Sequence, residues 1–291
     1  MPHGFRKYLQ KSKMSERTIE DYVSLIEQFF SYIDSLHKNN ELELFEIQTR
    51  HIRDFLTKKQ KEDKNELSTV NKNLTILKKF FNYLWEIDKI PVDPAGKIKH
   101  KKGNEVKSAI VPYEILLEIL PKVIQNKEYS NLKKVIYILA LHGFRIQDYH
   151  IYKKDIIVKQ DSVTIFPKLH EPVELFSVEA DLFVSVYHDS MFIDSPYVFN
   201  TKRKKEQKYV PIEVMGIYKH LSEIKEDYNI PLNLNTNNIR HAYAFYLYHT
   251  KGYSFERIAE VLGIENYSAA LLVRESEKRI QNAHETLEIR T

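Results

Sequence analysis

Residues 15–36, SERTIEDYVSLIEQFFSYIDSL, place apolar side chains at Ile19, Tyr22, Val23, Ile26, Phe29, Phe30 and Ile33. Spacings of three and four residues put them on one face of a helix, and Ser15 is suited to cap its start. Residues 66–90, ELSTVNKNLTILKKFFNYLWEIDKI, repeat the pattern at Val70, Leu74, Leu77, Phe81, Leu84 and Trp85, behind Ser68 as the expected cap. The opposite face of this second helix carries Lys72, Thr75, Lys79 and Asn82. An amphipathic helix ordinarily turns such a face to water. A Lys/Thr/Asn stripe also suits a helix laid against nucleic acid. Periodicity leaves both readings open.

The helical pattern stops at residues 91–108, PVDPAGKIKHKKGNEVKS, where prolines, glycines and lysines replace it. This divides the chain into a helical N-terminal domain (1–96), a basic linker (97–107) and a larger C-terminal domain (108–291). In the latter, VPYEILLEILPKVI and NLKKVIYILALHG predict helices. In DIIVKQDSVTIFPK, β-branched residues flanking Lys159, Gln160, Asp161 and Ser162 predict a short hairpin. Helical patterns return from about Pro211 to the end. The expected fold is mainly α, a small helical domain plus an α-rich domain carrying a small sheet.

At 291 residues, each part is long enough to bury its own core. Hydrophobic residues make up 43% and charged residues 29%, a globular balance. No apolar run approaches the ~20 residues of a membrane span, and the first residues lack a secretory apolar core. The chain has no cysteine, which excludes disulfides and thiolate metal sites. A cytoplasmic protein without membrane association is expected. Net charge is only +4, but the positive residues cluster in KIKHKKGNEVK (97–107) and TKRKKEQK (201–208). Within them Lys99, Lys101, Lys102, Lys202, Arg203 and Lys204 are candidates for phosphate contact. No metal-ligand spacing and no glycine-rich phosphate loop stands out, so neither metal nor cofactor is expected.

Four stretches together resemble the tyrosine recombinase, or phage integrase, family over nearly the whole length. ELSTVNKNLTILKKFFNYLWEIDKIPVDPAGKI resembles the family's SAM-like core-binding domain. ILALHGFRIQDYHIYKKDI resembles the stretch holding the first catalytic arginine, which falls on Arg145. SVTIFPK resembles the hairpin that delivers the catalytic lysine, here Lys168. NNIRHAYAFYLY resembles the box of the second arginine, here Arg240. The resemblance implies that two guanidinium groups grip one phosphate, a lysine protonates the leaving oxygen, and a tyrosine attacks phosphorus.

The sequence departs from that pattern where the chemistry is done. The histidine of the arginine box falls on Asn237, and the His/Trp after the Leu-Gly pair falls on Ile264. The nucleophile, nine residues further on, falls on Val273. Isoleucine has neither donor nor acceptor, and valine has no oxygen. After Ile264 the chain holds one tyrosine, Tyr267, which on a continuous helix lies ~9 Å from the nucleophile's place and on another face.

The expected function is therefore sequence-specific binding of double-stranded DNA without strand cleavage, as in a repressor or other transcriptional regulator of phage or mobile-element type. The binding residues would be Arg145, Lys168 and Arg240, the stripe Lys72, Thr75 and Lys79, and the basic clusters. One alternative is an active, divergent recombinase using Tyr267 or a partner's tyrosine. Another is a protein-interaction module on an inherited fold. The resemblance further implies homo-oligomers on DNA through the C-terminal helix, from about Ser268. A regulating peptide or protein is left open.

Overall fold

The computed structural model describes residues 4–36, 42–102, 108–168, 170–203 and 206–288, with side chains as far as 283. The chain forms two compact units, Met1–Glu105 and Val106–Thr291.

In the first unit α1 (Phe5–Lys11), α2 (Glu16–Leu36), α3 (Thr49–Lys61) and α4 (Leu67–Glu86) surround one core. Ser15 caps α2 as expected, its Oγ accepting from the Thr18 amide at 3.2 Å. Ile19, Ile26, Phe29 and Ile33 are buried, and Phe29 meets Phe55 and Phe81 edge-on at 5.3 and 5.7 Å. Such edge contacts set the positive ring edge against a negative ring face. α4 begins at Leu67 with Glu66 before it, so Ser68 lies inside the first turn and caps nothing. Trp85 is 51% exposed although it belongs to the apolar stripe of α4. Periodicity identifies a helix face, not how far neighbouring elements extend along it.

The described part of the basic segment, 97–102, folds back on this unit. Ile98 enters the core, and the Asn71 side chain both donates to the Lys101 carbonyl and accepts from its amide, each at 3.0 Å. Residues 103–107 of the expected linker lie outside the described residues.

The second unit contains α5 (Tyr113–Gln125), α6 (Asn131–Leu141), a sheet of β1 (Ile156–Val158), β2 (Ser162–Ile165) and β3 (Val173–Phe176), α7 (Ser177–Met191), the hairpin β4 (Asn200–Arg203) and β5 (Lys208–Pro211), then α8 (Val214–Asp227), α9 (Thr236–His249), α10 (Phe255–Leu262) and α11 (Asn266–Glu288). β2 is the middle strand, antiparallel to both neighbours, with Val163 opposite Leu175 and Ile165 opposite Val173. The hairpin expected around 159–162 is β1–β2. β3, α7 and the β4–β5 hairpin were not expected, since helical patterns were read only from Pro211. Strands of four residues carry too little periodicity to register alone; their partners fix them.

α6 is the hub, with every residue from Lys134 to Leu141 buried by the surrounding elements. It ends in a Schellman turn: the Phe144 amide bonds the Leu139 carbonyl at 3.2 Å and the Gly143 amide that of Ala140 at 2.9 Å. Gly143 takes φ +79°, and a Cβ there would lie 2.7 Å from Leu262 Cδ2. Only glycine supplies both the left-handed turn and the close approach of α10.

Candidate nucleic-acid interface

Arg145 stands at the start of a 3-10 turn, Ile146–Tyr149, just past the Gly143 turn. Its backbone amide donates to Asp148 Oδ2 at 2.7 Å, and its Nε and Nη2 reach the same carboxylate at 3.1 and 3.3 Å. His170, from the β2–β3 connection, shares Asp148 through Nε2 at 2.8 Å. Burial by itself would raise the Asp148 carboxyl, but the hydrogen bonds from His170 and Arg145 outweigh it and hold the group at about 2. Asp148 therefore fixes both the arginine and the loop carrying His170. The sequence analysis singles out neither Asp148 nor His170, whose one signal is its place two residues beyond Lys168.

Arg240 lies in α9, 4% exposed. Its Nη1 donates to the Gly143 carbonyl at 2.6 Å and its Nη2 to the Leu262 carbonyl at 2.7 Å. Those carbonyls belong to the C-terminal ends of α6 and α10, where helix oxygens lack intrahelical partners and the dipole is negative. Burial first, then repulsion from Arg145, pulls the guanidinium down to about 10, with Asp148 acting the other way. The two arginines and Asp148 are thus brought within electrostatic reach of one another. Such a site carries positive charge that an anion would neutralise.

Lys168 is exposed and lines a cleft of about 330 Å³ together with Asp148, Gln147 and His150. Its Nζ sits 5.0 Å from the centre of the Tyr152 ring. The Tyr152 phenol is lowered by a hydrogen bond from Tyr197 and by the charge of Lys168.

Asn237, Ile264 and Val273, the expected departures from the family pattern, lie in different local environments. Asn237 is exposed in the first turn of α9. Ile264 follows Gly263 in a second Schellman turn, its amide bonding the Ala259 carbonyl at 3.0 Å, and its side chain packs against the cluster around Leu262. Val273 is 1% exposed in that same cluster, with Ile258, Leu262 and Ala269. Tyr267, on the same helix, is 74% exposed. Six residues turn a helix through about 240° beyond one full revolution, so the two point to different sides.

Other expected contact residues lie apart on the β4–β5 hairpin and in the first unit. Arg203 is engaged by Glu206 and Glu213 at 3.4 and 3.2 Å, and Lys202 rests over Tyr209. Lys204 lies outside the described residues. On α4, Lys72 pairs with Asp21 at 3.0 Å, Thr75 meets His100 at 3.0 Å, and Lys79 approaches the Tyr22 ring. The stripe is exposed or half-exposed, but not idle. Lys101 Nζ donates to Gln60 Oε1 at 2.6 Å; Lys99 and Lys102 are exposed.

Among the described residues, no helix is long and apolar enough to cross a membrane.

Residues 3–89 match the phage integrase N-terminal SAM-like domain. A protein of Caldanaerobacter subterraneus subsp. tengcongensis assigned as a tyrosine recombinase is 21% identical over 96% of this chain and 95% of its own length. A lambda integrase dimer bound to a COC′ core site has a similar structure, with TM-score 0.65 and 12% identity over 92% of both chains. So does a XerH recombinase bound to a palindromic difH substrate, with TM-score 0.65 and 16% identity over 93% of this chain and 80% of that one.

The first unit carries a phage integrase SAM-like domain, and over nearly its whole length the chain is similar to a tyrosine recombinase.

Its fold is the integrase fold, a SAM-like helical domain followed by an α-rich unit with small antiparallel sheets. α11 is docked within its own unit: Ile280 and Ala283 are buried, and Arg279 donates to the Ser108 carbonyl at 2.9 Å and to Asn238 Oδ1 at 2.7 Å. His241 is likewise bound, donating from Nδ1 to the Ser276 hydroxyl at 2.9 Å while that hydroxyl donates to the Leu272 carbonyl. Contact between protomers through the buried face of this helix is not available while it is docked so.

Proposed function

We propose that this recombinase-fold protein binds double-stranded DNA and does not cut it with a tyrosine of its own. The observation that carries this reading is Val273, an oxygen-free side chain sealed in an apolar cluster, at the position where the resemblance to the family would put the nucleophile. Tyr267 offers no replacement, because in-line attack tolerates displacements of ~1 Å poorly and this phenol lies on another side of α11. Asn237 and Ile264 also withdraw the proton-transfer and phosphate-orienting groups of the family pattern.

What remains suits holding a phosphate. Arg145 lowers the Arg240 guanidinium by repulsion, and a phosphate bound by both would relieve it. Lys168, the α4 stripe and the basic residues at 99–102 would add backbone contacts and set register on the duplex. A protein that grips DNA without cleaving it serves regulation, and transcriptional control is the use we infer. Homo-oligomers on DNA are part of the same proposal, through surfaces other than the docked face of α11.

The test is a nicked suicide substrate, on which any cleavage is trapped as a covalent adduct, run beside a gel shift on genomic fragments. A shift without adduct is expected. Adduct formed by the natural protein and abolished by Tyr267→Phe would overturn the proposal; no shift on any fragment would remove the DNA reading itself.

A further inference from the structure

A cleft of about 540 Å³ opens in the first unit between α3, α4 and the returning segment 97–101. Its floor is apolar: Leu56, Val70, Leu74 and Ile98, each at most 7% exposed. Arg53, Lys97, Lys99 and Lys101 also line it, and no carboxylate does. Among the described residues none of these four cations has an acidic partner; Lys101 Nζ instead donates to the neutral Gln60 amide. The wall formed by 97–101 is held by the paired Asn71 hydrogen bonds to Lys101, so the cleft is built rather than left by a loose strand.

We propose that this cleft binds a small organic anion that joins a phosphate or carboxylate to an apolar body. The volume falls in the range of small-molecule sites, ~300–1,000 Å³. Four rim cations without an acidic partner among the described residues attract negative charge, and the low-dielectric floor beneath them strengthens that attraction. A DNA backbone phosphate would meet the rim cations but has no apolar part to set on Leu56, Val70, Leu74 and Ile98. Burying those side chains against a ligand adds ~25 cal/mol per Å² of apolar area removed from water. The site thus selects for an amphiphilic anion over a bare one. Because Lys99 and Lys101 also belong to the proposed DNA contacts, an occupant would compete with DNA, and that consequence alone rests on the DNA reading.

The experiment uses the full chain without DNA, titrated calorimetrically with 1-naphthyl phosphate, inorganic phosphate and 1-naphthol. Saturable binding of one equivalent of naphthyl phosphate is expected, at least tenfold tighter than either other probe. Arg53→Ala combined with Lys99→Ala should weaken it tenfold or more. Thr57→Trp, a half-buried rim position, should fill the cleft and abolish binding, with circular dichroism and thermal melting establishing that the variant folds. Inorganic phosphate binding as tightly as naphthyl phosphate would reduce the cleft to a phosphate contact and overturn the proposal. So would naphthyl phosphate binding that Thr57→Trp leaves unchanged, or no saturable binding at all. Gel shifts of the natural chain without added anion test the DNA reading independently, so the two proposals fail separately.

Discussion

Arg240 donates from Nη1 to the carbonyl oxygen of Gly143 at 2.6 Å, tying the middle of α9 to the turn that ends α6. With the Leu262 carbonyl on Nη2, one side chain closes two helix ends from 97 and 22 residues away in sequence. Both helices end in glycine turns that leave these oxygens inward, and the guanidinium satisfies them. Arg240 therefore has a structural task that would keep it in place whether or not a phosphate binds. Arg145 has one too, through Asp148. Their presence in the sequence is weaker support for a phosphate clamp than their mutual repulsion in space.

Arg240→Ala should accordingly destabilise the protein before any question of DNA arises. Two buried, charge-assisted hydrogen bonds contribute ~1.5–3 kcal/mol each, partly offset by release from the cost of burying the charge. A net loss on the order of 3 kcal/mol is expected in urea unfolding of the second unit. Unchanged stability would show that water replaces the guanidinium at both carbonyls.

Asp148 gives the protein a defined acid sensitivity. Its folded-state value, about 2, lies below the 3.8 of the free side chain. A depressed carboxyl stabilises the fold above the unfolded value and loses that contribution as pH falls through the folded one. The window is therefore roughly pH 4 down to 2, and the contribution on the order of 2 kcal/mol. Asp148→Asn should lower stability at neutral pH and flatten the decline between pH 4 and 2. A variant whose acid unfolding curve superimposes on that of the natural protein would refute the assignment.

Under the proposed non-cleaving reading, a tyrosine placed at Val273 should not produce cleavage. Val273→Tyr forces a ring into a filled apolar cluster, and overpacking of this kind costs ~1–3 kcal/mol. Asn237 and Ile264 would still lack the supporting groups. Thermal melting should show the loss, and the suicide substrate should remain free of adduct; robust adduct formation would mean that the remaining site is competent after all.

Truncation after Glu275 should unfold the second unit instead of merely separating protomers. It removes buried Ile280 and Ala283, and with Arg279 the bonds to Ser108 and Asn238. Losing one buried aliphatic side chain alone typically costs 2–5 kcal/mol. Circular dichroism of the truncated chain would check this, and a fully folded truncation product would restore the helix as a candidate for exchange between subunits.

Within the proposed DNA contacts, α4 and the basic segment should behave differently. Thr75→Ala or Lys79→Ala should weaken specific binding more than nonspecific binding if they touch bases, by ~1–3 kcal/mol per good contact. Lys72 must first leave Asp21, so its effect should be smaller. Neutralising Lys99, Lys101 and Lys102 should weaken binding to all sequences and make the salt dependence shallower by about 0.9 per lost phosphate contact. An unchanged salt slope would count against contact through this segment.

Much of the architecture was already determined by the chain's local patterns. The 3.6-residue periodicity of α2 and α4, the Ser15 cap and the β-branched runs of β1–β2 each depend on near neighbours, and each is found where the sequence places it. Tertiary structure decided the rest. β3 and the β4–β5 hairpin exist because partner strands satisfy backbones too short to signal themselves. The lysine-rich segment at 97–101 is a docked wall because Ile98 finds a core and Asn71 finds a backbone, neither visible as spacing. His170 and Asp148 meet across a loop, Arg240 reaches two helix ends, and α11 folds onto its own unit through Arg279. In each case the partner is distant in sequence, and only packing brings a buried charge the partner that its desolvation demands.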